Sequence, residues 1–237
     1  MPKPTFPGFP AEGMAFLRGL KKNNAREWFQ PRKPIYDEQV KAPMVELIQA
    51  VQYEMRQFAP DHIQEPCKAI YRIYRDTRFS NDKTPYKTHI AANFPRRGLQ
   101  KHSGAGYYFS VSPEEVEIAA GSYMPQPSDL AAIRGHIAEH HGEFHKLVTS
   151  RRLKSLLGEL WGDKLARVPK GFAPDHPAAG YLRFKQLVFY VTLDGKLAVT
   201  PKLQEEIVKR LRAMAPFVDF LNTPLLARSR AQAHTRE

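Results

Sequence analysis

The densest chemistry in this sequence lies between Lys68 and Lys101. Nine basic side chains (Lys68, Arg72, Arg75, Arg78, Lys83, Lys87, Arg96, Arg97 and Lys101) face only two acids there, Asp76 and Asp82. Those 34 residues carry +7 of a formal net charge of +12, which leaves +5 for the other 203. Tyr71, Tyr74, Phe79, Tyr86 and Phe94 are interleaved with them. Guanidinium forks suit the paired oxygens of phosphate or carboxylate, and rings between them offer stacking surfaces. Ser80, Asn81 and Asp82 are turn formers, and the residues before Pro85 resist helix. A loop over 77–86 can therefore gather Arg72, Arg75, Arg78, Lys83, Lys87 and His89 around an anionic group. Three readings stand side by side: a local site for a small anion, an ion-pair network with Asp76 bracing Arg78 or Arg72 and Asp82 bracing Lys83 or the turn, and an extended nucleic-acid surface.

Other patterns carry less. His136-Ile137-Ala138-Glu139-His140 matches the His-x-x-Glu-His zinc pattern, with two histidines one helical turn apart. Only three positions are specified, and an exposed polar helix end is the simpler reading, so no metal is expected. Cys67 beside Lys68 lacks a local histidine arrangement and reads as incidental. No glycine-rich phosphate loop ending in Lys-Ser or Lys-Thr occurs, and Gly104-Ala105-Gly106 reads as a turn opening a strand. Nothing calls for a cofactor. Asp175-His176 stands in a Pro-rich stretch and keeps His176 as a candidate beside a cleft.

The elements that must position these residues follow from periodicity. Prolines at 2, 4, 7 and 10 predict an extended arm over 1–10. Phe16, Leu17 and Leu20 share one face of a short helix, and Asn24 is placed to cap a second one over 25–29. Apolar residues from Val40 to Met55 recur with a 3.6-residue period, with a start or kink at Pro43. Strands are predicted at 69–75, 88–94, 107–112, 116–121 and 187–193, with a loop of about three residues around Pro113 joining the third to the fourth. Within 107–112, Tyr107, Phe109 and Val111 share one face while Tyr108, Ser110 and Ser112 share the other. Helices are predicted from Ser128 through 161 and from Thr200 to 226, divided at Ala215-Pro216, before a frayed basic tail over 227–237.

Strands clustered mid-chain with helices on both sides predict an α+β fold with a mainly antiparallel sheet, in one domain over 11–226. The hydrophobic share is 42% and the charged share 25%, as in ordinary folded proteins, which excludes wholesale disorder. A single cysteine excludes a disulfide scaffold. No apolar run approaches 18 residues and the first 20 lack an export signal, so the expected compartment is the cytoplasm, with no membrane partner.

The run from Arg72 to Ile90, RIYRDTRFSNDKTPYKTHI, resembles the signature of the family catalogued as domain of unknown function 2461 (DUF2461), found in bacteria and fungi. Asn23-Asn24-Ala25-Arg26-Glu27-Trp28-Phe29, Gly106-Tyr107-Tyr108, the stretch 165–172, Asp175-His176-Pro177 and Tyr181-Leu182-Arg183 are similar to it as well, so the resemblance spans about 220 residues in order. It implies no activity, cofactor or catalytic residue. Within these stretches Asp76, Tyr86, Tyr107, His176 and Arg183 are secondary candidates. The leading expectation is binding of a small phosphorylated or carboxylated ligand near 72–89; the alternative is nonspecific association with nucleic acid through the basic surface.

Overall fold

The computed structural model describes residues 3–78, 80–99 and 103–234. Pro2 of the arm, Phe79 and Lys101 of the basic stretch, and tail residues 235–237 lie outside them. The described chain is α+β, with a four-stranded antiparallel sheet in the order β1-β2-β3-β4: Ile90–Phe94, Gly106–Val111, Glu115–Ser122 and Leu187–Asp194. Its contacts fall into two compact units. The first takes in the chain up to Phe94, Tyr108–Ile118 and Thr192–Lys209; the second takes in Pro95–Tyr107, Ala119–Val191 and the residues from Arg210 onward.

In the first unit, the helices α1 (Ala11–Lys22), α2 (Arg26–Phe29), α3 (Lys33–Tyr36), α4 (Ala42–Met55) and α5 (Pro66–Ala69) precede the sheet. Phe16, Leu17 and Leu20 of α1 are buried, as are Met44, Leu47, Ile48 and Val51 of α4. Between α3 and α4 the chain widens into a π-type turn over Asp37–Lys41. Pro43 has no N–H to donate to residue 39, and the wider turn just before it relieves that loss. α1 crosses closely there: a Cβ on Gly13 would stand 2.1 Å from the Gln39 carbonyl oxygen. The extended arm is docked through backbone and side chain alike. Phe9 N–H donates to Ala198 O at 2.8 Å, Gln204 Oε1 accepts the Phe6 N–H at 2.9 Å, and both phenyl rings are buried.

The alternation within β2 holds: Phe109 and Val111 are fully buried, opposite Val116 and Ile118 of β3. Ser112-Pro113-Glu114 forms the loop between them. Ser112 Oγ accepts the N–H groups of Glu114 and Glu115 at 3.2 and 3.0 Å, which locks the register. Because Ser112 pairs with Glu115, Ser110 lies across from Glu117 on the outer face of the sheet.

The strand expected at 69–75 is absent. Isolated bridges join Ile70 to Ala92 and Tyr74 to Tyr86, so five residues on one side span seven on the other. Tyr71 N–H bonds Ala91 O at 2.9 Å and Lys87 N–H bonds Ile73 O at 2.8 Å, which leaves Arg72 alone opposite Thr88, His89 and Ile90. Two surplus residues bulge there, and a bulge interrupts a ladder and re-aims its side chains.

In the second unit, α6 (Pro127–Glu139), α7 (His141–Val148), α8 (Arg151–Leu157) and α9 (Ala179–Leu182) surround aromatic packing in which Phe144 meets Phe217 and Phe220. The long helix α10 (Lys202–His234) runs through Pro216 and Pro224. It is not divided at Ala215-Pro216, because buried Met214, Phe217, Val218 and Leu221 hold both sides of the proline in one apolar stripe. Residues 227–234, expected to fray, continue this helix, and Arg228 Nη1 ties it to Ser128 O at 2.7 Å. Among the described residues no helix is long and apolar enough to cross a membrane.

Candidate functional site

The basic loop is held by its own acids. Arg78 grips Asp76 with two bonds, Nε to Oδ1 at 3.0 Å and Nη2 to Oδ2 at 2.7 Å. Arg75 Nη1 bonds both Asp82 Oδ2 and Thr84 Oγ1. Asp82 Oδ1 also accepts the Thr84 N–H at 2.9 Å and its hydroxyl at 2.8 Å, an Asx turn that fixes the approach to Pro85. Lys83 Nζ donates to Thr77 O at 2.9 Å. The Arg78 guanidinium holds the Asp76 carboxyl at about 2, and Arg75 with Thr84 does the same for Asp82, also at about 2.

The base of the loop is clamped from α2. Asn24 is not the expected helix cap; Ala25 takes that position without a side-chain bond. The Asn24 amide instead pairs with the Tyr86 backbone like a strand, donating from Nδ2 to Tyr86 O at 2.9 Å and accepting Tyr86 N–H at 3.0 Å. The Tyr86 ring stacks on Phe29 at 4.2 Å and is 1% exposed, and burial raises its hydroxyl above 10.

Above this clamp lies a cleft of about 540 Å³ lined by Lys21, Asn24, Arg75, Asp76, Asp82, Thr84, Tyr86, Lys87, Thr88 and His89. A side compartment of about 250 Å³ shares Lys21, Thr88 and His89 with it and continues over Ser110, Ser112, Glu114, Glu115 and Glu117. His89, set on the bulge, therefore stands at the seam of a basic lobe and an acidic lobe. Small side chains on the outer sheet face make the floor of the acidic lobe, and Lys21 reaches Glu114 at 3.5 Å.

The electrostatics of the two lobes oppose each other. Burial pushes the Lys87 ammonium below its ordinary value, and the nearby Arg72 guanidinium pushes it the same way. Lys87 lies over the Tyr71 ring at 4.9 Å. Neither Lys87 nor Arg72 has an ion-pair partner among the described residues. His89 is pushed below 6.5 by burial and then by Lys87, so it is neutral at pH 7. Glu117 is pushed up by burial and by Glu115, and the Tyr108 hydroxyl is raised to about 12, chiefly by burial. The result is a neutral imidazole whose nitrogens bond no group among the described residues, between a carboxyl that holds its proton more tightly than usual and a half-buried ammonium that holds its own less tightly.

Of the residues singled out from sequence, Arg75, Lys87, His89, Asp76 and Tyr86 line the cleft. Arg72 acts on it through its charge, while Arg78 and Lys83 are spent on the loop. Tyr107, His176 and Arg183 belong to the second unit and line neither compartment. The Tyr107 ring is fully buried, His176 Nδ1 accepts the Ala178 N–H at 3.0 Å, and Arg183 Nε donates to Leu165 O at 2.7 Å. Sequence reasoning missed Lys21, Thr88 and the acidic lobe. The lobe was within reach, because the alternation that turns Ser110 and Ser112 outward also turns Glu115 and Glu117 outward across the hairpin.

The family described as conserved hypothetical protein (DUF2461) matches residues 12–220, and the chain belongs to that family. No curated protein and no solved structure matches the chain.

Proposed function

We propose that this DUF2461 protein binds a small bipolar ligand in the cleft around His89. The ligand's phosphate or carboxylate meets Lys87 under the nearby charge of Arg72, and its hydroxyl or amine end meets Glu115 and Glu117. One observation carries the reading: Lys87 is half-buried beside a second cation, and among the described residues no carboxylate pairs with it. A half-buried ammonium beside a like charge is unfavourable unless something supplies the opposite charge, and an anionic ligand does so. The volume is in the range of small-molecule sites, roughly 300–1,000 Å³. Lys21, Thr88 and His89 are common to both lobes, so a single ligand can touch both. A neutral His89 there can accept a proton from a bound hydroxyl or ammonium.

Calorimetric titration with phosphoethanolamine, a hexose phosphate, inorganic phosphate and a single-stranded oligonucleotide tests this. Saturable binding of the small phosphates is expected, weakened at least about tenfold by Lys87→Met, since a charge-assisted contact contributes roughly 1.5–3 kcal/mol. Glu117→Gln should weaken the amine-bearing ligand more than inorganic phosphate. Small-anion binding that Lys87→Met leaves intact, or binding of the oligonucleotide alone, overturns the reading.

A further inference from the structure

The C-terminal end of α6, in the second unit, gathers a different chemistry. His136, Glu139 and His140 each offer one ligand atom, and these atoms lie within 4.8 Å of one another. The two imidazoles are 4.5 Å apart, and Glu139 Oε2 is 3.8 Å from His140 Nε2. Spacing of four residues puts both rings on one helix face. His140 leaves helical geometry at φ −113°, ψ 37° and so ends α6 beneath its own ring. The His136 ring rests on Phe220 at 4.5 Å, which fixes one arm of the cluster, while Glu139 and His140 open to solvent.

We infer that His136, Glu139 and His140 form a surface binding site for a borderline divalent cation such as Zn²⁺. Two imidazoles and one carboxylate are a donor set this ion takes, with a position left for water or an incoming group. The arrangement departs from the hydrolytic His-x-x-Glu-His pattern, in which the glutamate stands off the metal as a base. Here Glu139 converges with the histidines, so the assignment is metal binding rather than metal-assisted hydrolysis. Two neighbouring histidines are otherwise engaged: His145 Nδ1 bonds the Tyr181 hydroxyl at 2.7 Å, and His176 Nδ1 takes a backbone N–H.

Calorimetric titration of the full chain, carrying no affinity tag, with ZnCl₂ near neutral pH tests the assignment, and Co²⁺ absorption gives a second readout of the ligand set. One saturable site is expected, weakened at least about tenfold by His140→Ala or His136→Gln. Glu139→Gln should weaken it less and shift the Co²⁺ bands, and His176→Ala should change neither. His140 and Glu139 are exposed, so their variants keep the fold, which circular dichroism verifies. Absence of saturable binding, or unchanged affinity in His140→Ala, overturns the assignment. Neither outcome bears on the His89 cleft, whose ligands are titrated without metal.

Discussion

The Asn24–Tyr86 clamp makes the sharpest structural prediction, because Asn24→Ala removes both of its bonds while leaving its neighbours in place. Those bonds are 2.9 and 3.0 Å long and serve the backbone N–H and C=O of a residue that is 1% exposed. A net hydrogen bond contributes about 1 kcal/mol, and a buried peptide group left without a partner costs about 1–3 kcal/mol. Asn24 is half-buried, so water can reach one of the two orphaned groups. The expected loss is about 2–3 kcal/mol, a sizeable part of the roughly 5–15 kcal/mol a domain holds. Asn24→Asp keeps the acceptor but turns a carboxylate toward Tyr86 O, and should destabilise by no less than about 1 kcal/mol. Urea unfolding of the three proteins gives the stability differences, and amide hydrogen exchange at Tyr86 reports the clamp itself. A Tyr86 amide as protected in Asn24→Ala as in the parent, with stability unchanged within about 0.5 kcal/mol, would refute the reasoning.

Four further outcomes follow. Asp76 and Asp82 are each held at about 2 against an ordinary 3.8, so their contribution is complete above pH 3.8 and is lost as pH falls through about 2. Carboxyl titration by NMR should show this, and Arg75→Gln should return Asp82 toward 3.8 without moving Asp76. His89, depressed below 6.5, binds its proton more readily in the unfolded chain, so its contribution is complete above 6.5 and declines as pH falls below it. A ring titration should place it under 6.5, with Lys87→Met raising it, and a value at or above 6.5 would contradict the burial assigned to it. Gly121, at φ 137°, would set a Cβ 2.1 Å from the Leu187 carbonyl oxygen, so Gly121→Ala should destabilise by more than about 2 kcal/mol. Gly135 of α6 has open space around it, and Gly135→Ala should stabilise by about 0.5–1 kcal/mol, both read from urea midpoints.

What the sequence revealed depended on whether a residue's partner was near in the chain. The β2–β3 hairpin, with its three-residue loop and alternating faces, is a local object, and Phe109, Val111, Val116 and Ile118 are buried as the pattern demands. The Asp76–Arg78 pair, two residues apart, was legible for the same reason. Asn24 was not. An asparagine before a helical segment suits a cap, and only Tyr86, 62 residues away, redirects its amide to strand-like pairing. The missing strand at 69–75 has the same origin, since a two-residue surplus at Thr88–Ile90 emerges only when both sides of the pairing are in view. Pro216 shows the opposite error: a local rule predicted a break that apolar packing on both sides overrode.

The long stretch that marks the family can be divided by asking what each residue does for the fold. Asp76 holds Arg78, Asp82 holds Arg75 and Thr84, and Lys83 closes on Thr77 O. Tyr86 seats the loop on Phe29 and Asn24, which joins this stretch to the family segment at 23–29. These contacts account for most of the charged side chains by structure alone, and they leave little free charge along the loop for a polyanion to read. Arg72, Lys87, Thr88 and His89 remain. Thr88 and His89 lie on the bulge, Arg72 is its one opposing residue and Lys87 flanks it; burial disfavours the charged forms of Lys87 and His89, and among the described residues no carboxylate pairs with Lys87. A fold that neutralises Arg75 and Arg78 with acids a few residues away could have neutralised Lys87 as readily. Glu115 and Glu117 instead stand in a separate lobe that shares Lys21, Thr88 and His89 with the cleft, and this separation of charge is what the proposed bipolar ligand rests on.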